Sequence, residues 1–288
     1  MKKLALLLLA VAAGLGAATK DFEYGVHLFR DGDYYRAITE LERFRYFEPK
    51  AKESEAALWL VAAAYLKGEK WEQAAKNYDD FALAYPQSRR LGGALFFKAE
   101  SLYESRKLAA AREAFAAVHD PQFGATPQLR LASMDLIEGH WDQAAKQFDG
   151  AKKIEPARLS DLQRWESLSL QGQAMKPFSP ALAFLSSAII PGSGQMEAGY
   201  LSDGLSSLLA VGGFAAWAAY FFSNQQATQG AIFGVAGGIF YLANLHGAVI
   251  AAQRANRNRP RALIKQILDE VGGRAAPEPD LNDWVEPK

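Results

Sequence analysis

Four alanines, Ala37, Ala74, Ala111 and Ala144, recur at intervals of 37, 37 and 33 residues and constrain the first half of this chain to paired helices. Twelve residues before each stands another small residue: Gly25, Ala62, Ala99 and Ala132. Four residues after each comes a large apolar one: Leu41, Tyr78, Phe115 and Phe148. Two helices cross closely only where side chains are tiny, and a bulky residue one turn later fills the space beyond the crossing. Pro49, Pro86 and Pro156 close three units in register, and Pro121 falls two residues early. Proline suits that place because it cannot supply the next helical hydrogen bond.

The segments that carry the register are Gly-Asp-Tyr-Tyr-Arg-Ala (32–37), Glu-Lys-Trp-Glu-Gln-Ala (69–74), Arg-Lys-Leu-Ala-Ala-Ala (106–111) and Gly-His-Trp-Asp-Gln-Ala (139–144). This pattern resembles the tetratricopeptide (TPR) family, whose unit is a helix–turn–helix of about 34 residues. The third segment departs from it by lacking a turn glycine. The resemblance implies a stacked solenoid over 19–156, whose first helices line a groove for a protein or peptide partner. The groove positions would then be Phe22, Trp59, Phe96 and Leu129, with Phe29 and Tyr103 two turns further along their own helices. Rigid rings suit an extended peptide, although large residues at helical spacing more often pack a core. Stacked units need a closing helix. Residues 158–174 suit that task, with Leu162, Trp165 and Leu168 near helical spacing and Ser160 and Gln163 spaced as a capping box.

The first 18 residues read as a signal peptide, with Lys2 and Lys3, an apolar stretch from Leu4 to Ala13 and a small-residue exit. An uncleaved anchor is the alternative, and either one exports the repeats. Formal charge is zero, from 32 basic and 32 acidic residues, so nothing points to nucleic acid. The chain holds no cysteine. That excludes disulfides, thiol catalysis, iron–sulfur ligation and a lipidated cysteine anchor. His27, His119 and His140 lie in different units without ligand spacing, and no cofactor is expected.

Composition changes after residue 175. Gly204 to Phe222 is a run of 19 residues without a charge, and Gly230 to Ala252 one of 23. Each is long enough to cross the hydrocarbon core, and the short polar link at 223–229 predicts a hairpin. The 13 uncharged residues from Phe178 to Ile190 predict a short helix, tilted or re-entrant. Arg254, Arg257, Arg259 and Arg261 favour a cytoplasmic tail. With exported repeats, that predicts three crossings; the alternative is two crossings with an exported tail.

Between the short helix and the first span lies Pro191-Gly-Ser-Gly-Gln, similar to a signature of small bacterial membrane domains, though Met196 and Glu197 stand where an aromatic is common. The glycines permit a sharp turn, and two of them without a following lysine are weak support for a phosphate loop. Gly230, Gly234 and Gly238 place a flat stripe on the last span, for packing against Gly212, Gly213 and Ala216 or for self-association. Asn244 and His246 are its deepest polar residues, suited to interhelical hydrogen bonds or to a pathway.

The expected architecture is therefore all-α. It comprises a signal segment (1–18), a TPR-like solenoid (19–156), a capping helix and linker (157–175), a membrane domain (178–253) and a tail (254–288) that begins with an amphipathic helix on anionic headgroups. The expected role is a non-enzymatic, membrane-anchored scaffold in a cell envelope. It binds a protein partner, sits in the lipid bilayer and can form homo-oligomers through its membrane half. A transport subunit is the alternative.

Overall fold

The computed structural model describes residues 20–272, all of whose regular elements are helices. The signal segment and the end of the tail lie outside the described residues. Two compact units divide the chain, one running to Ser167 and joined by Val271 and Gly272, the other spanning Leu168–Glu270.

The first unit is the TPR-like stack. Its helices are α1 (20–30), α2 (Tyr34–Phe47), α3 (Ser54–Lys67), α4 (Trp71–Ala84), α5 (Leu91–Glu104), α6 (Leu108–Ala116), α7 (Thr126–Glu138) and α8 (Trp141–Ile154). All four register alanines are fully buried, as are Ala62, Ala99 and Ala132. At the first of these crossings a β-carbon on Gly25 would fall 2.8 Å from the Leu41 side chain. Leu41, Tyr78, Phe115 and Phe148 fill the spaces beyond, each 1% exposed or less.

One backbone device repeats at every intra-unit turn. Gly32, Glu69, Arg106 and Gly139 all adopt positive φ, between 56° and 81°. The next amide donates back to a carbonyl five residues earlier, in Asp33→Leu28, Lys70→Tyr65, Lys107→Leu102 and His140→Asp135, over 2.7–3.0 Å. This is the Schellman closure, in which a left-handed residue lets the last carbonyls of a helix be satisfied. The second and third units therefore turn like the others although Glu69 and Arg106 stand where glycine is favoured.

Across units, the Arg130 guanidinium donates twice, at 2.8 Å, to the Glu100 carboxylate, tying α7 to α5. Burial pushes the Glu100 carboxyl up from its ordinary range, and Arg130 opposes that rise. The closing helix α9 (Leu159–Ala174) places Trp165 5.8 Å from Phe148. It starts at Leu159 after a 3-10 turn (Pro156–Arg158), so Ser160 sits inside the first turn and does not cap the helix.

The second unit holds α10 (Pro180–Ile189), α11 (Ser193–Glu197), α12 (Leu201–Ser223) and most of α13 (Ala227–Gly272). Two of these, α12 and α13, are long and apolar enough to cross a membrane. At 1.5 Å per residue they extend about 35 Å and about 69 Å, whereas α10 reaches only about 15 Å. The amphipathic segment expected at 261–271 is no separate helix: α13 runs through Pro260 without a break, and Leu263, Ile267 and Val271 are buried.

Candidate functional site

The notable chemistry lies where α10 turns back, because that is where polar groups are withdrawn from solvent. Gly192 has φ +88°, and a β-carbon there would fall 2.0 Å from the Gly204 carbonyl oxygen. A β-carbon on Gly194 would fall 2.2 Å from the Ala183 carbonyl oxygen. Gly204 in turn leaves room for the Gly192 carbonyl and the Met196 side chain. Three backbone segments thus meet at a separation only glycine allows. The Pro191–Gln195 segment is a close-packed turn.

A knot of side chains holds it. The Gly192 amide donates to Asn244 Oδ1 at 2.8 Å, and Asn244 Nδ2 donates to the Ser187 carbonyl at 3.0 Å. Ser187 Oγ donates to Gln195 Oε1 at 3.0 Å and accepts from the Gly194 amide at 2.9 Å. Gln195 Nε2 donates to the Asn244 carbonyl at 3.0 Å and approaches Ser207 Oγ at 3.3 Å. Ser187, Gln195 and Asn244 are all at most 2% exposed. Buried amides need partners, and here each supplies the other's. Asn244 therefore bonds the turn between α10 and α12 from α13. His246, two residues on, is exposed.

The same contacts fix where the ends lie. Asn256 exchanges two hydrogen bonds with the Phe178 backbone, at 2.7 and 2.8 Å. Arg259 lies over the Phe178 ring and Arg254 over Tyr200, at 5.0 and 5.4 Å. Tyr241 donates to the Ala188 carbonyl at 2.8 Å. So α10 enters beside residue 256, reaches the level of residue 241 and returns by residue 200. Its entry and the outgoing end of the apolar run in α13 share one end of the unit. Within this unit α10 is the short arm, and α12 and α13 extend further.

The hairpin between them packs through aromatic rings, not through the full glycine stripe. Phe214 stacks on Phe240 at 4.9 Å and Phe221 on Phe233 at 5.2 Å. Gly230 faces Phe222, with a β-carbon distance of 2.8 Å, and Gly237 faces Phe214 at 3.3 Å. Gly234, Gly238, Gly212 and Gly213 have open space around them. The seam follows 230, 233, 237 and 240, a helical face that leaves 234 and 238 outside.

In the solenoid, the candidate groove residues turn inward. Trp59 and Phe96 are 2% exposed or less, and Phe22, Phe29 and Leu129 are buried as well. Trp59 packs on Tyr78 and Phe81, with Gly93 making room for its ring, and Phe96 packs on Phe115 and Phe123. They form the core between stacked helices, the commoner fate of large residues at this spacing. Tyr103 alone stays partly open, under the Arg130 guanidinium at 5.0 Å. A spacing argument also misses Asp135, Glu138 and His140, whose ligand atoms lie within 4.8 Å of one another. Arg112 occupies that place, donating to Asp135 at 2.6 Å and to Glu138 at 2.9 Å.

Helical hairpins in register, each closed by the same turn, define the first unit as a TPR-like solenoid, here followed in the chain by a short apolar helix and an apolar hairpin. Residues 16–122 match the family described as YfiO: Outer membrane lipoprotein. No curated protein matches the chain.

Replacing Asn244 with Leu strands the Gly192 amide, the Ser187 carbonyl and one Gln195 hydrogen. Each unmet buried group costs about 1–3 kcal/mol. The expected result is an apparent Tm in mild detergent lowered by roughly 5–10 °C, with His246→Ala nearly silent. Equal effects of the two variants would remove Asn244 from its place at the centre of the knot.

Proposed function

We propose that this chain is a non-enzymatic envelope scaffold, an exported TPR-like arm tethered to the inner membrane by two crossings and a re-entrant helix. One combination supports the reading. The stack resembles a family of outer-membrane lipoproteins, yet the 288 residues hold no cysteine to carry a lipid. The same chain has two long apolar helices whose most apolar stretches are only 6% and 28% buried. A core helix of a water-soluble protein would be mostly covered, whereas a bilayer accepts such a surface. Helical anchoring thus stands in for lipidation.

In this reading the exported arm and the arginine cluster share the periplasmic side, against the charge rule that favours a cytoplasmic tail; the bonds from Asn256 to Phe178 support it. Arg254 and Arg259 over Tyr200 and Phe178 give those cations a local role at the membrane boundary. Because the native chain lacks cysteine, single cysteines report topology cleanly. Lys176→Cys and Asn258→Cys are expected to react with an impermeant maleimide from the periplasm, and Asn224→Cys at the hairpin tip only after lysis. Labelling of 176 and 258 from opposite sides would restore three crossings.

For the partner, the open surface to test is a groove of about 320 Å³ on α5 and α6, where Leu95, Leu102 and Ala114 lie between Lys98 and Glu113. A photocrosslinker at Leu102 in intact cells is expected to give one discrete protein adduct, lost in Leu95→Asp, while one at exposed Lys146 gives none. Identical products from both positions would exclude this groove.

A further inference from the structure

Between α12 and α13, at the end of the unit shared by residues 178 and 256, lies a cleft of about 380 Å³. Its floor is the Gln195 and Asn244 amides, already engaged in the knot. Asp203 and Arg254 line one end, together with Ser206 and Ser207. No ion pair joins Asp203 to Arg254 among the described residues, and Asp203 is exposed. Arg254 is held in place over the Tyr200 ring. Ser207 Oγ accepts weakly from Gln195, so its own hydrogen is available to donate. Phe240 lines the other end, nearly four helical turns from Arg254 along α13, and Ala210 lies about two turns from Asp203 along α12.

This is an amphiphile's polarity gradient. Two opposite charges and two hydroxyls lie at the level where the uncharged run of α13 ends, and apolar walls lie below. Unpaired charges of both signs within one cleft call for a ligand that is itself zwitterionic. The anionic part belongs at Arg254 and the hydroxyls, since guanidinium and O–H donors match phosphate oxygens. The cationic part belongs at Asp203, and a primary ammonium can donate hydrogen bonds to that carboxylate. A quaternary ammonium has no hydrogen to give, and a glycerol headgroup has no cation.

We propose that the cleft seats one phospholipid with a phosphoethanolamine headgroup, its phosphate on Arg254 and Ser206 or Ser207, its ammonium on Asp203, and an acyl chain along Phe240. The inference rests on the membrane reading above. The test separates the two. Full-length protein is first mixed with vesicles and floated on a density gradient; failure to float with any vesicle overturns the membrane reading and this inference with it.

Protein that floats is then reconstituted in nanodiscs containing equal parts of phosphatidylethanolamine, phosphatidylcholine and phosphatidylglycerol, released, and weighed intact by native mass spectrometry. The expected result is one retained lipid per chain, phosphatidylethanolamine at least tenfold over the other two. Asp203→Asn is expected to reduce retention of phosphatidylethanolamine to the level of phosphatidylcholine, and Arg254→Gln to weaken all three, with the melting temperature of Asp203→Asn unchanged. Equal retention of the three lipids by the native chain, or undiminished phosphatidylethanolamine preference in Asp203→Asn, would overturn the proposal while leaving the membrane reading in place.

Discussion

Gly192→Ala is expected to lower the apparent Tm in mild detergent by about 10 °C or more, from a destabilisation of roughly 3–5 kcal/mol. Two costs combine. An alanine at φ +88° occupies a left-handed conformation, costing about 1–2 kcal/mol. Its β-carbon also needs space now held by the Gly204 carbonyl oxygen, 2.0 Å away, and backbone cannot yield as a flexible side chain can. Two controls divide the costs. Gly199→Ala meets nothing within 4 Å at φ +91°, so it reports conformational strain alone. Gly194→Ala would sit 2.2 Å from the Ala183 carbonyl oxygen without a positive φ, so it reports the clash alone. A Gly192→Ala protein melting within 2 °C of the native one would mean that the turn is not packed this closely.

Arg130→Met is expected to cost about 3–5 kcal/mol at neutral pH, because it leaves the Glu100 carboxylate buried without its cation. The effect depends on pH in a definite direction. Burial already holds the Glu100 carboxyl above its ordinary value of 4.5, and loss of Arg130 raises it further. Between the unfolded and folded values the native state binds the extra proton, so stability falls as pH rises through that window. Below it Glu100 is neutral in both states and the penalty fades. The gap in melting temperature between native and variant protein should therefore widen from pH 4 to pH 8. A gap that stays constant over that range would show that Glu100 is not the group left uncompensated. The double variant Glu100→Leu, Arg130→Met should recover most of the loss, since a well-packed apolar pair can replace a buried ion pair.

The solenoid is legible because its signal is local and repeated. The register alanines and the residues one turn later state which faces meet, and the stack places them there. The groove is not legible, for a related reason. Trp59 and Phe96 sit at helical spacing in either case, and spacing marks a face without saying whether that face meets another helix or solvent. Only the neighbours, Tyr78 and Phe81 around Trp59 and Phe123 on Phe96, decide it. Spacing is equally silent about the glycine stripe: a four-residue period matches one side of a helix, and within the chain the rings on α12 meet the side carrying Gly230 and Gly237. At the second and third turns no glycine occupies the left-handed position, yet Glu69 and Arg106 take that conformation because the same helix closure is required there.

The sequence by itself determined the helical class, the repeat, the apolar hairpin and the sharp turn at Pro191–Gln195, since each depends on residues near one another along the chain. The tertiary structure alone decided that the chain turns back after α10 toward the end of the unit where it entered, and that Asn244 closes that turn. The physical reason is distance: the bonds from residue 244 to 192 and from 256 to 178 span 52 and 78 residues. No periodicity or composition encodes a pairing of single polar groups over such separations; only the packed helices bring them together.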